Sequence, residues 1–229
     1  MGLNRFGILK TSLLDYPGRL AAVLFTYGCD LRCPWCHNPG LVRGGTPQDF
    51  WPRSQVLEFL QRRKNLLGGV VVTGGEPFYH QDLELFLEEV HSMGYALKLD
   101  TNGTYPRRLA SLPSGLVDLV AMDLKCAPSR YHLQGVPGMA PKIVEAVSHI
   151  QERFPQHLFR TTWVPGLNTV DEIHEMAQVL GPGENLWLTG FRPGKTLDPR
   201  WTTARSPTVD ELDNVRLRFE QEGIHVDMQ

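Results

Sequence analysis

Short β-rich runs alternate with helical stretches along almost the whole chain, and no other feature limits the fold so tightly. Strand character falls at 22–27, 69–73, 95–100, 117–124, 158–164, 185–191 and 224–228. Between these runs the spacing predicts helices over 54–67, 82–93, 106–112, 142–153, 170–180 and 209–222. The helix over 82–93 is the clearest: Leu83, Phe86, Leu87 and Val90 recur at three- and four-residue steps, and Gly94 follows as a C′ residue. In the helix over 54–67, Ser54 offers an N-cap ahead of Val56, Leu57, Phe59 and Leu60. Such alternation builds a parallel sheet covered by helices, and periodicity leaves both a doubly wound sheet and a barrel open. With no internal repeat or low-complexity tract, 229 residues suit one α/β domain over 1–229.

Three cysteines stand within eight residues, Cys29, Cys33 and Cys36, directly after the apolar run Ala21-Ala22-Val23-Leu24-Phe25. Their loop therefore leaves the end of a buried strand. Thiolates are soft ligands for zinc or iron–sulfur clusters. A protein-held cubane normally takes four, so three would leave one iron open to a small molecule. Two plainer readings compete. A structural zinc would need His37 or Cys126 as its fourth ligand, and a thiol oxidoreductase would use Cys33 and Cys36 without iron. A disulfide framework is unlike this chain, which has four cysteines in all and no apolar signal core at its start. A net charge of −2 supplies no field for nucleic acid or an anionic membrane. No apolar stretch reaches the ~20 residues of a membrane helix. These features lead us to expect a cytoplasmic protein with reduced thiols.

The Cys-x3-Cys-x2-Cys spacing with Trp35 before the last cysteine resembles the signature of the radical S-adenosylmethionine (SAM) enzymes. Val72-Thr73-Gly74-Gly75-Glu76-Pro77 is similar to the Gly-Gly-Glu-Pro segment of that superfamily. Lys98-Leu99-Asp100-Thr101-Asn102-Gly103, Met122-Asp123-Leu124-Lys125 and the stretch from Phe159 to Gly166 resemble strand-end segments of glycyl-radical-enzyme activases. Lys10 to Gly18 and Phe191 to Pro199 look most like the anaerobic ribonucleotide reductase activating proteins. The resemblance implies a partial TIM-like barrel of about six β/α units over 20–229, with 1–19 as a hairpin-like extension. It also implies a [4Fe–4S] cluster on Cys29, Cys33 and Cys36, with SAM chelated by the open iron. The expected activity is reductive SAM cleavage, followed by hydrogen abstraction from a glycine of a glycyl radical enzyme. Anaerobic ribonucleotide reductase is the expected partner, and a flavodoxin- or ferredoxin-type protein the electron donor. Four cysteines leave only Cys126 after one cluster, which excludes an auxiliary cluster.

The candidate site residues all fall at or just past strand ends, where sites assemble in parallel α/β folds. Trp35 can lie against the adenine or simply pack under the loop; His37 and Asn38 share its turn and orient it. Gly74 and Gly75 allow close backbone approach to a ligand, and Glu76 can accept a hydrogen bond from the SAM ammonium. Asp100, Thr101, Asp123 and the Met122 carbonyl offer hard oxygens to a monovalent cation (Na+ or K+), with Lys125 as the competing neutraliser. Asn102 belongs to the same segment. Arg160, on a strand among apolar residues, needs a partner, either SAM or Asp123. Arg192 falls near the ribose or adenine or on the surface. Cys126 reads as a small buried hydrophobe. Loops over 127–141 and 192–207 are the expected docking surface. A radical SAM reaction on a small deazapurine-type molecule and a zinc-bound interaction domain are the rival functions.

Overall fold

The computed structural model describes residues 2–42 and 48–228; Met1, at the head of the expected extension, lies outside them. In chain order the elements are β1 (Arg5–Ser12), β2 (Ala21–Thr26), α1 (Pro39–Val42), β3 (Trp51–Pro52), α2 (Arg53–Arg63), β4 (Gly69–Gly74), α3 (Leu83–Ser92) and β5 (Ala96–Thr101). They continue as α4 (Pro106–Ser111), β6 (Leu119–Asp123), α5 (Ala140–Arg153), β7 (His157–Trp163), α6 (Ile173–Leu180), β8 (Asn185–Gly190), α7 (Val209–Gln221) and β9 (His225–Met228). The strands form one sheet in the order β3-β1-β2-β4-β5-β6-β7-β8-β9. Every pairing from β2 to β9 is parallel, whereas β1 runs antiparallel to both β2 and β3. Among the described residues β3 and β9 are free edges, so the sheet is an open, partial barrel.

The expected extension is a hairpin in which the barrel's own first strand is the second arm. The edge strand β3 and the single turn α1 carry too few residues to show a period. Helix α2 begins one residue before Ser54, which does not cap it; Pro52 holds the N-cap position without a side-chain bond. The cause is β3 itself: Pro52 is paired with Arg5, and Arg53 N donates to Asn4 O at 2.8 Å, so the chain passes directly from strand to helix. The last residues of the expected helix, 64–67, instead close a turn, with Leu66 N and Leu67 N donating to Arg63 O. The expected helix over 170–180 starts as a 3-10 turn held by a Thr169–Glu172 capping box before α6.

Strand alternation divides the core in two. Val70, Val72, Leu97 and Leu99 face outward onto Phe86, Leu87 and Val90 of α3. Ala21, Val23 and Val71 face inward with Phe25, Ala96 and Leu119, and Tyr16 closes that inner cluster. Each fully buried Val, Leu or Phe side chain among these contributes about 1.5–3 kcal/mol. A Cβ on Gly69 would lie 2.8 Å from the Tyr16 ring, so the glycine makes room for this plug. Along the inner face, Leu119, Ala121 and Asp123 follow one another on β6, and Leu158, Arg160 and Thr162 on β7. The interior thus turns from apolar to ionic toward the C-terminal strand ends. Among the described residues no helix is long and apolar enough to cross a membrane.

Candidate active site

The cysteine loop leaves β2 and is pressed against the end of β4. Gly75 N donates to Thr26 O at 2.9 Å and Glu76 N to Gly28 O at 2.8 Å. A Cβ on Gly74, whose φ is +120°, would sit 2.4 Å from the Thr26 backbone, and one on Gly75 would sit 2.0 Å from Gly28 O. The double glycine therefore admits a neighbouring strand end, not only a ligand, although both residues also line the cavity. Glu76 differs from expectation. It is fully buried, does not line the cavity, and accepts from Phe78 N at 3.1 Å, Thr101 Oγ1 at 2.9 Å and Asn102 N at 2.7 Å. It ties the β4 end to the β5 end, and burial pushes its carboxyl up to about 8.

Two distant segments bracket the cysteine loop from outside. Arg32 N donates to Gln134 O at 2.8 Å, Asp198 N to Pro34 O at 2.9 Å and Leu197 N to Cys36 O at 3.0 Å. His37 Nε2 donates to Arg192 O at 2.8 Å while its ring stacks on Phe191 at 5.3 Å. The loops over 127–141 and 192–207 are thus fastened to the cysteine loop by main-chain bonds. Their turns, such as the 3-10 helix Pro128–Gln134, gave no periodic signal in the sequence. Cys126 is fully buried and its Sγ accepts from Gln134 Nε2 at 3.5 Å, in keeping with a packing role.

Cys29, Cys33 and Cys36 line one cavity of ≈ 190 Å³ together with Trp35, His37, Asn38, Gly74, Gly75, Asp100, Thr101, Asn102, Asp123, Lys125 and Arg160. All four cysteines are free thiols. Burial pushes Cys29 up to about 12 and Cys33 up to about 11, so their thiolates form when a metal displaces the protons. Asn102 Nδ2 donates to Cys29 Sγ at 3.6 Å and to Asp30 Oδ1 at 3.2 Å. Among the described residues no three His, Cys, Asp or Glu side chains converge on a point that a single ion would fill.

The cavity floor is a chain of alternating charges across β5, β6 and β7. Arg160 Nη1 reaches Asp100 Oδ2 at 3.1 Å, and Arg160 Nε reaches Asp123 Oδ1 at 2.9 Å. Lys98 Nζ, itself 1 % exposed, bonds Asp100, while Lys125 Nζ lies 3.3 Å from Asp123 Oδ2. Burial would raise the Asp123 carboxyl, but Arg160 and Lys125 outweigh it and hold the group at about 2. Burial would likewise lower Lys125, yet Asp123 above all keeps it charged and raised. The two carboxylates are bridged by a guanidinium instead of facing each other, so their electrostatics call for no metal cation. Thr101 Oγ1 donates to Glu76 Oε1 at 2.9 Å and accepts from Gly103 N at 3.1 Å. Arg192 is exposed and stands outside this cavity. Sequence reasoning missed Lys98 as part of the site; its signal was the two-residue step to Asp100 within an apolar strand. It also missed the fastening of the cysteine loop, which leaves no periodic trace.

The donor set fits a three-thiolate cluster with SAM beside it. Three cations against two carboxylates leave the floor one positive charge in excess, suited to the SAM carboxylate and to thiolates. Trp35 is 7 % exposed, and its indole Nε1–H has no partner among the described residues, an uncommon state for a buried donor that a ligand acceptor would satisfy. Lys125 Nζ stands 5.3 Å from the Trp35 ring centroid.

Comparison with known proteins gives the same reading. A protein provisionally named a glycyl-radical enzyme activating enzyme, from Methanocaldococcus jannaschii, is 28 % identical over 217 residues, 90 % of this chain and 87 % of that one. The (2S)-3-sulfopropanediol sulfolyase activating enzyme of Bilophila wadsworthia is 29 % identical, covering 73 % of this chain and 76 % of its own length. A 7-carboxy-7-deazaguanine synthase of Aquifex aeolicus is 39 % identical over only 79 residues, 34 % of this chain and 33 % of that one. In fold, a radical SAM methyltransferase of Sphaerobacter thermophilus superposes with a TM-score of 0.73 at 19 % identity, covering 96 % of this chain and 68 % of its own. The model of the radical SAM superfamily matches residues 23–180. The zinc-bound interaction domain and the iron-free thiol oxidoreductase are thereby set aside, and this chain belongs to the radical SAM superfamily, enzymes that work with a [4Fe–4S] cluster and SAM.

Proposed function

We propose that this chain activates a glycyl radical enzyme, with anaerobic ribonucleotide reductase as the partner. The observation that carries the reading is likeness over nearly full length to a protein named as such an activating enzyme. Likeness to the deazaguanine synthase is confined to about a third of the chain. The choice of partner rests on the segments Lys10 to Gly18 and Phe191 to Pro199, and a flavodoxin- or ferredoxin-type protein is the proposed donor. We take residues 1–229 as one domain acting in the cytoplasm, where reduced thiols persist.

Cys29, Cys33 and Cys36 would hold the cluster, and the excess positive charge among Lys98, Arg160 and Lys125 would orient the SAM carboxylate. When bound, the cluster would supply the electron for reductive cleavage of SAM, the source of the hydrogen-abstracting power that activation of a glycine Cα requires. Trp35 and Asn38 border the same space, and the bracketed cysteine loop limits entry of water. Asn102, bonded to Cys29 Sγ, would moderate the charge on that thiolate.

The test uses protein reconstituted with iron and sulfide without oxygen, reduced with dithionite and mixed with SAM and anaerobic ribonucleotide reductase. We expect 5′-deoxyadenosine by chromatography and a glycyl-radical doublet by electron paramagnetic resonance. Alanine at Cys29, Cys33 or Cys36 abolishes both. Deoxyadenosine without the doublet would reject this partner; cleavage that survives all three alanines would reject the site.

A further inference from the structure

Beneath the cavity floor stands a charged residue that the cavity itself does not reach. Lys98 is fully buried and is not part of the cavity lining. On β5 it lies between Val71 of β4 and Leu119 of β6 in the sheet register, so its stem runs beside apolar neighbours. Among the described residues its ammonium bonds Asp100 and no other group. A lysine is costly to bury in such surroundings, and an apolar residue of similar size would serve packing at least as well. The charge is therefore kept for what it does to Asp100.

The sequence led us to expect a monovalent cation on Asp100, Thr101, Asp123 and the Met122 carbonyl, and the carboxylate oxygens of that set can be accounted for one by one. Asp100 Oδ1 is held by Lys98 and its Oδ2 by Arg160; Asp123 Oδ1 is held by Arg160 and its Oδ2 by Lys125. The Thr101 hydroxyl is occupied by Glu76 and by Gly103 N. A free cation brought here would find no unpaired carboxylate oxygen and would be repelled by the cations already in place.

We propose that Lys98 is a positioning residue that takes the place of the monovalent cation. Its tethered charge satisfies Asp100, leaves the Arg160 guanidinium at the cavity wall, and keeps the floor one charge positive without an ion from solution. SAM binding is then indifferent to sodium and potassium. Without Lys98 the two carboxylates would balance Arg160 and Lys125, and the excess charge that faces the SAM carboxylate would vanish. Asp100 Oδ1 would then lie open to a small cation. This role rests on SAM binding and not on which enzyme is activated.

The experiment titrates SAM into the cluster-loaded full chain by calorimetry, without reductant so that SAM stays intact. Potassium, sodium and choline chloride are compared at equal ionic strength, choline being too bulky to enter the site. The unaltered protein should bind SAM equally in all three. Lys98→Ala, which leaves room where the ammonium stood, should bind about tenfold more weakly in choline. It should recover most of that loss in potassium, sodium or n-propylammonium chloride. Lys98→Met, which refills the room without a charge, should show the same loss and no recovery. A lysine needed only for packing would give a loss that no ion reverses, and that result overturns the proposal. So does equal affinity of Lys98→Ala and the unaltered protein in choline. If the unaltered protein itself binds about tenfold more tightly in sodium or potassium than in choline, a solution cation occupies the site and the proposal falls, whether or not either variant folds. No SAM binding by the unaltered protein in any salt would reject the SAM site, and this role with it.

Discussion

Single residues show how closely the backbone is packed beneath the cavity. Gly75→Ala would drive a Cβ to 2.0 Å from Gly28 O, and backbone cannot yield there as a flexible side chain can. We expect a loss of about 3 kcal/mol in urea unfolding, accompanied by poor iron loading; a variant of unaltered stability would contradict the close approach. Glu76 makes a pH prediction. Its folded pKa of about 8 lies above the ~4.3 of an unfolded glutamate. The folded state therefore binds the proton more tightly, and this contribution is complete below about pH 4 and lost as pH rises through about 8. Glu76→Gln should be less stable than the parent at pH 5 by about 1–3 kcal/mol, because its amide meets the donor Asn102 N–H. That gap should narrow by pH 8.5 in metal-free protein; a gap independent of pH would refute the shift. The residue types at the site were legible in the sequence because cysteine spacing and a double glycine need no partner to be noticed. Their duties were less so: Glu76 looks outward as a motif but points inward as a side chain, and only the β5 end at Thr101 and Asn102 decides that.

At the scale of elements, the parallel strands and the long helices were readable because apolar residues repeat through them at steps of two or of three to four. Lys98 and Asp100 followed the same two-residue step, though in charge instead of hydropathy. The segments fastened to the cysteine loop were not readable. A main-chain bond such as Leu197 N to Cys36 O uses atoms that every residue but proline possesses, so no side-chain pattern marks it. Its importance can be measured by Leu197→Pro, which removes that donor. We expect bound iron per chain after reconstitution to fall by at least about half, with the melting temperature lowered by about 2–4 °C, as for loss of about 1 kcal/mol in a chain this long. Full iron loading in this variant would show that the cysteine loop needs no outside support.

For the whole molecule, burial of thiols sets a limit on the metal-free state. Cys29, Cys33 and Cys126 are raised by burial to about 12, 11 and 12, above the ~8.5 of an exposed thiol. Their contribution to stability is complete below about pH 8.5 and is lost as pH climbs through these values. The urea midpoint of metal-free protein should therefore be lower at pH 10 than at pH 8, and loading the cluster should reduce the difference by removing two of the three titrations. An equal drop in loaded and metal-free protein would place the titrating groups elsewhere. The bracket around the cysteine loop also has a consequence in time. His37 is bonded to Arg192, 155 residues further along. On a ribosome the cysteines are therefore made well before the segment at 192–198 that helps to hold their loop. Over that stretch of synthesis the thiols stand in an unformed site, open to oxidation and to stray metal, before the outer segment can close over their loop.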